Sequence, residues 1–231
     1  EFRRVLFRSQ AGLLRILENG GLDSALAGLY PGESGVSRRS RVLSILTEHR
    51  ERFGPAETRL FSAPGRTELG GNHTDHNGGR VLAAAVDLDI LAAVSPVADG
   101  TAEIASRGFP RIFRADLSRL EPVSGETGKT EALVRGTAAG FAARGLRYGA
   151  FRAAADGLGL PGSGLSSSAA FEILLAAVQN ALYNAGTAPP AVLAEIGWEA
   201  ENVHFGKPGG RMDQTAFELG GISVMDLGDP A

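Results

Sequence analysis

LPGSGLSSSAAFEILLAAVQNAL, residues 160–182, is the stretch on which the reading of this chain turns. Pro161, Gly162, Ser163 and Gly164 make a turn, the hydroxyls of Ser166, Ser167 and Ser168 follow, and a helical pattern then begins. Apolar residues recur at Ala170, Ile173, Leu174, Ala177, Val178, Ala181 and Leu182, the stripe of a buried helix face. A glycine-rich turn feeding a helix start offers unpaired backbone N–H groups and the positive end of the helix dipole, a ready site for phosphate. The serines can cap the helix, and one can reach a metal riding on the phosphates. The same pattern also serves as a plain N-cap after a loop, so the motifs around it have to decide.

Working outward, 231 residues suffice for one large domain or one and a half. Hydrophobic content of 43% against 21% charged calls for a packed core rather than disorder. A net charge of -3 gives no electrostatic case for nucleic acid or an anionic membrane. The absence of cysteine excludes disulfides and thiolate metal sites and fits a reducing, cytoplasmic location. No apolar run reaches membrane-spanning length.

Residues 1–9, EFRRVLFRS, are unlike the rest of the chain and are set aside as a scar of cloning or assembly. Residues 10–56 form an N-terminal helical extension. One helical pattern runs over 11–29 with a break at Gly20 and Gly21; a second runs over 37–53 with Val42, Leu43, Ile45, Leu46 and Phe53 inward. From residue 57 to 231 a single domain is expected. Strand-like runs fall at 58–62, 81–86, 88–97, 101–106 and 111–116, a meander rather than βαβ alternation. A helix is expected over 130–144, a strand near 148–155, a helix over 191–205 and a last strand over 221–226. Strands first, then helices mixed with strands, argue an α+β fold.

Three further stretches bear on chemistry. In APGRTELGGNHTDHNGG, residues 63–79, a strand is expected to end at a Pro-Gly turn carrying Arg66. The polar cluster Asn72, His73, Thr74, Asp75 and His76 lies beyond it, hemmed by glycines, a composition suited to a polyol such as a sugar. A metal is disfavoured there, because His-x-Asp-His on a turn has no helical i, i+4 register. GETGKT, residues 125–130, looks like the end of a phosphate loop, but the pattern needs a glycine where Val123 stands; it reads as an exposed loop and helix cap. In GKPGGRMDQ, residues 206–214, a Gly-Gly turn delivers Asp213, a candidate catalytic base or orienter, just after a helix bearing Glu199 and Glu201. Residues 161–169 contain no lysine after the last glycine, so phosphates there depend on backbone N–H groups, serines and a metal.

Together APGR with its polar loop, PGSGLSSSA and the run from Glu199 to Gln214 resemble the GHMP kinases, and within them the galactokinase family, over about residues 61–227. The resemblance implies the GHMP-kinase N-terminal lobe, similar to ribosomal protein S5 domain 2: a mixed sheet packed by helices. It implies ATP and Mg2+ as cofactors and a small sugar as the other partner, with no nucleic acid or membrane involved. Carried across, it puts Asp213 and Arg66 at the transferred phosphoryl group, and Asn72, His73, Thr74 and Asp75 on sugar hydroxyls. Gly162, Ser163, Gly164, Leu165, Ser166, Ser167 and Ser168 would wrap the phosphates, with Ser168 and Glu201 holding the metal. The implied reaction is ATP with galactose giving ADP and galactose 1-phosphate.

The family's usual form, GRxNxIGEHxDY, is not matched throughout. Its Glu is Asn72 here, its Tyr is His76, and its earlier Asn and Ile are Glu68 and Gly70. Asn donates as well as accepts, so the hydroxyl pattern read there changes, and an amino sugar, arabinose or fucose becomes a rival substrate. A sugar- and ATP-binding sensor without catalysis is the rival from another class. The sequence stops soon after Asp213, before the family's second lobe. An N-terminal fragment is therefore expected, with little or no activity alone, because catalysis depends on closure around both substrates.

Overall fold

A computed structural model describes residues 8–71, 78–157, 167–219, 221–226 and 228. The elements in order are β1 (Arg8–Ser9), α1 (Gln10–Glu18), α2 (Asp23–Leu29), α3 (Gly35–Phe53), β2 (Glu57–Gly70), β3 (Arg80–Val97), β4 (Thr101–Ser106), β5 (Ile112–Asp116), α4 (Thr130–Ala143), β6 (Ala150–Asp156), α5 (Ser167–Tyr183), α6 (Pro190–Glu199), α7 (Met212–Leu219) and β7 (Ile222–Asp226). Local chemistry marks several ends. The Ser9 hydroxyl accepts from Gly12 N at 3.2 Å to start α1, and the Ser34 hydroxyl accepts from Ser37 N at 3.1 Å to start α3. Gly54, at φ 81°, ends α3, and Pro190 opens α6.

Strand order is β1-β2-β3-β6-β4-β5, with β7 joining β3. Only β4 with β6 is parallel among the described pairs. Period-two alternation then assigns the two faces. Ile90, Ala92 and Val94 of β3, with Ala153 and Ala155 of β6, meet Leu133 and Ala138 of α4 and Ile173 and Leu174 of α5. Leu91, Ala93 and Ala154 point the other way, onto Leu13, Leu17, Val42, Ile45 and Leu46 of α1 and α3. A mixed sheet lies between two helical layers, the α+β arrangement expected. Each fully buried Leu or Ile in these layers contributes about 1.5–3 kcal/mol of transfer free energy.

Several local expectations are corrected. The strand does not end at Pro64-Gly65: β2 runs through to Gly70, and the two apolar runs opposite it are one strand, β3. Pro64 pairs with Asp89 but Gly65 pairs with Val86, so the register slips and Asp87 and Leu88 bulge from β3. A bulge is how a sheet accommodates a proline that has no N–H to donate. Leu43 is 47% exposed, on the outer side of α3. The helix expected over 191–205 changes into a π-helical turn at Ala200–Phe205, and Asp213 stands in the first turn of α7 rather than in a loop. Arg8 and Ser9, from the stretch set aside, pair with Thr58 and Glu57.

GETGKT is, as expected, exposed: a short 3-10 turn, Gly128 at φ +73° and then the start of α4, with Lys129 turned back onto Gly125 O at 2.6 Å. Gly136 and Gly140 let α4 approach α6 and the π turn. A Cβ on Gly136 would stand 2.9 Å from Ala200, and one on Gly140 2.9 Å from Ile196. Among the described residues, no helix is long and apolar enough to cross a membrane.

Candidate active site

Arg66 lies on β2 just past the bulge, opposite Ala85, and is 5% exposed. The facing helix α7 is seated by Met212 and Ala216, which bury against Val81 and Ala83 of β3 and Met225 of β7. With Met212 fixed, Asp213 faces the sheet, and Arg66 Nε donates to its Oδ1 at 2.5 Å. Two residues 147 apart in sequence thus form one buried-edge ion pair. The Asp213 side chain keeps 25% of its surface open to solvent.

The second half of the site is built by the π turn. A π turn carries an extra residue per turn, and such turns recur at functional positions. This one buries Glu201, 4% exposed, against the start of α5. Glu201 Oε1 accepts from the Ser168 hydroxyl at 3.2 Å and from Lys207 Nζ at 2.8 Å. Gln214 Nε2 donates to Glu201 Oε2 at 3.1 Å and to Glu172 Oε2 at 2.8 Å. Glu172 is wholly buried inside α5. Burial pushes its carboxyl up to about 8, with the negative charge of Glu201 acting the same way. Glu172 Oε1 and Gln214 Oε1 are buried without a hydrogen-bond partner among the described residues. Lys207 is held above its usual range, chiefly by its hydrogen bond to Glu201, with Glu172 and Asp213 adding to the effect. Asp213 and Gln214 are consecutive, so the ion pair and this acid cluster form one site.

Arg66, Ser168, Glu201 and Asp213 are therefore brought together. Asn72, His73, Thr74, Asp75 and His76, and Gly162, Ser163, Gly164, Leu165 and Ser166, lie outside the described residues. Ser167 supplies the first residue of α5. Glu199 is excluded from the site: Arg144 takes both of its oxygens at 2.8 Å. Sequence reasoning missed Glu172, Gln214 and Lys207. Glu172 had a signal, a carboxylate whose helical neighbours Ala169, Leu175 and Ala176 are all apolar. Lys207 had none, because only the fold brings its turn to α5. Among the described residues no three His, Asp or Glu side chains cluster as metal ligands. Ser168 Oγ and Glu201 Oε1, 3.2 Å apart, do match neighbouring oxygens on an octahedral cation with bonds of about 2.1 Å.

Known proteins share this architecture. Residues 47–96 match the galactokinase galactose-binding signature, and residues 133–221 match the GHMP kinases N terminal domain. The galactokinase of Lactococcus lactis, solved in complex with galactose, superposes with a TM-score of 0.74 at 30% identity, covering 82% of this chain and 50% of that one. The mevalonate kinase of Methanococcus jannaschii, at 15% identity and a TM-score of 0.61 over 74% of this chain and 54% of its own, shares the fold. The sheet, its helical layers and the site on them define a GHMP kinase N-terminal domain.

In sequence, the galactokinase of Lacticaseibacillus casei (strain BL23) is 34% identical over 78% of this chain and 46% of its own length. That of Lactococcus lactis subsp. lactis is 33% identical over 84% and 49%. Over these matched parts the chain is similar to the galactokinases among the GHMP kinases. It spans about half the length of the curated relatives it matches.

Proposed function

We propose that the protein, in its full-length form, is a cytoplasmic sugar-1-kinase that transfers the terminal phosphoryl group of ATP to the anomeric hydroxyl of galactose. The observation that carries this reading is the Arg66–Asp213 pair, 2.5 Å apart, joined through Gln214 to Glu201 and Ser168. Phosphoryl transfer needs positioning and charge neutralisation more than covalent help, and the pair supplies both. The open oxygen of Asp213 accepts a hydrogen bond from the sugar hydroxyl and orients it. Arg66 is a fixed positive charge where charge builds on the phosphoryl oxygens. Residues 162–168, with the amino end of α5, take the phosphates through backbone N–H groups and hydroxyls. Ser168 and Glu201 would hold Mg2+, which neutralises phosphate charge when bound; one hydroxyl and one carboxylate suit a cation that keeps waters and phosphate oxygens in its shell. Asn72, His73, Thr74 and Asp75 would read the sugar's other hydroxyls.

The test is a coupled ADP assay of the full-length protein with galactose, an amino sugar, arabinose and fucose. ADP release with galactose is expected, with Asp213→Asn lowering kcat by about 10²- to 10⁴-fold. ADP release with another sugar alone would move the substrate and keep the chemistry. Sugar-dependent thermal stabilisation with no ADP from any sugar would replace the kinase by a sensor.

A further inference from the structure

Residues 161–169 carry no lysine, but the fold brings one from elsewhere in the chain to the carboxylate that Ser168 donates to. Lys207 stands in the glycine turn after the π turn, and its Nζ is 2.8 Å from Glu201 Oε1. That oxygen is also the one nearest Ser168 Oγ, at 3.2 Å. A metal ion between Ser168 and Glu201 needs this same oxygen, so an ammonium and a divalent cation compete for it. The Lys207 backbone is anchored independently of its ammonium. Lys207 N donates to Glu201 O at 3.1 Å, and Gly209 N donates to Asn202 Oδ1 at 3.0 Å. Gly206, at φ +80°, sets the turn between them. The Lys207 side chain is 59% exposed, against 6% for Glu201. The ammonium can therefore move by side-chain rotation alone, over a carboxylate that stays in place.

We propose that Lys207 is a tethered cation of the phosphate site, holding Glu201 when no metal is bound and passing to a nucleotide phosphate oxygen when a divalent cation takes Glu201. This rests on reading the site as one that binds a nucleotide. It makes the site's charge count nearly constant: Glu201 is never left bare, and the incoming phosphates gain a mobile lysine that their own loop lacks. A flexible ammonium suits such a transfer better than a guanidinium fixed in a fork.

The two halves of the proposal push a single variant in opposite directions, which a plain structural ion pair does not. In the full-length protein, Lys207→Met is expected to bind free Mn2+ about two- to fivefold more tightly, read by electron paramagnetic resonance, because a surface-accessible competitor is gone. The same variant is expected to bind the magnesium complex of AMPPNP about tenfold or more weakly, read by calorimetry, for loss of a charged hydrogen bond. Lys207→Arg should restore most of the nucleotide affinity. Any other pair of signs for Lys207→Met, no change included, overturns the proposal. If the unaltered protein itself binds no AMPPNP, the kinase reading falls and takes this inference with it.

Discussion

The sheet buries a polar network on each face, and the two are built differently. On the outer face Asp89 is saturated: Oδ2 accepts from the Tyr30 hydroxyl at 2.6 Å and from Ser62, and Oδ1 accepts from Arg41 at 2.5 Å. Asp156 beside it accepts from Arg107 at 2.6 Å, and Arg41 also reaches the Asp89 and Asp156 carbonyls at 3.2 and 3.3 Å. On the inner face acceptors outnumber donors. Glu172, Glu201 and Asp213 share Arg66 and Lys207, and buried oxygens of Glu172 and Gln214 have no partner among the described residues. Unpaired buried polar groups cost free energy. The outer network ties the N-terminal helices to the sheet; the inner one joins α5, the π turn and α7 and leaves buried oxygens of Glu172 and Gln214 unpaired among the described residues.

Removing Asp89, the centre of the outer network, should have the largest effect on stability. Asp89→Ala leaves Arg41 and Tyr30 unmatched in a buried place and should cost about 3–5 kcal/mol in urea unfolding. A loss below about 1 kcal/mol would mean the outer network is ornament, since that is the range of exposed ion pairs.

Glu172→Gln sharpens the contrast on the inner face. The folded carboxyl titrates at about 8 against 4.5 for an ordinary glutamate. A raised acid contributes stability that is full below the unfolded value and is lost as pH rises through the folded one. Gln keeps the shape and cannot ionise. The melting temperature of Glu172→Gln relative to the parent should therefore climb from pH 5 to pH 9, by about 2–4 °C for each kcal/mol in a chain of this size. Parallel curves would show that Glu172 is not held protonated.

The smallest effect belongs to His49, buried beneath α1. Its Nδ1 is 3.0 Å from Gln10 Nε2, and its Nε2 lies 3.2 Å from Arg152 O and 3.1 Å from Ser95 Oγ. Burial holds its pKa below 6.5. A depressed base contributes stability present above the unfolded value and lost as pH falls through the folded one. Stability should decline between pH 7 and pH 5, by about 1.4 kcal/mol for each unit the pKa is depressed. His49→Gln should flatten that slope in thermal scans; an unchanged slope would assign the acid sensitivity to other groups.

How much of this was legible varies by region. The helix α5 and the strand β6 were readable from their apolar residues, and the break between α1 and α2 from Gly20 and Gly21, although both faces of β6 and most of α5 are buried. The strand through Pro64 was not. A Pro-Gly pair is locally a turn signal, and only pairing with β3, with its bulge at Asp87 and Leu88, carries the chain straight on. The π turn at Ala200–Phe205 was equally hidden: it packs against α4, where a Cβ on Gly136 would stand 2.9 Å from Ala200, and no local pattern signals that contact.

The site divides along the same line. The order of the motifs alone carried the resemblance to the GHMP kinases, because each motif is a local device whose residues lie within a few positions of each other. Pairing Arg66 with Asp213, burying Glu172 beneath Gln214 and laying Lys207 on Glu201 needed the tertiary structure. Those partners sit up to 147 residues apart, and no periodicity in a chain encodes which distant side chains its packing will press together.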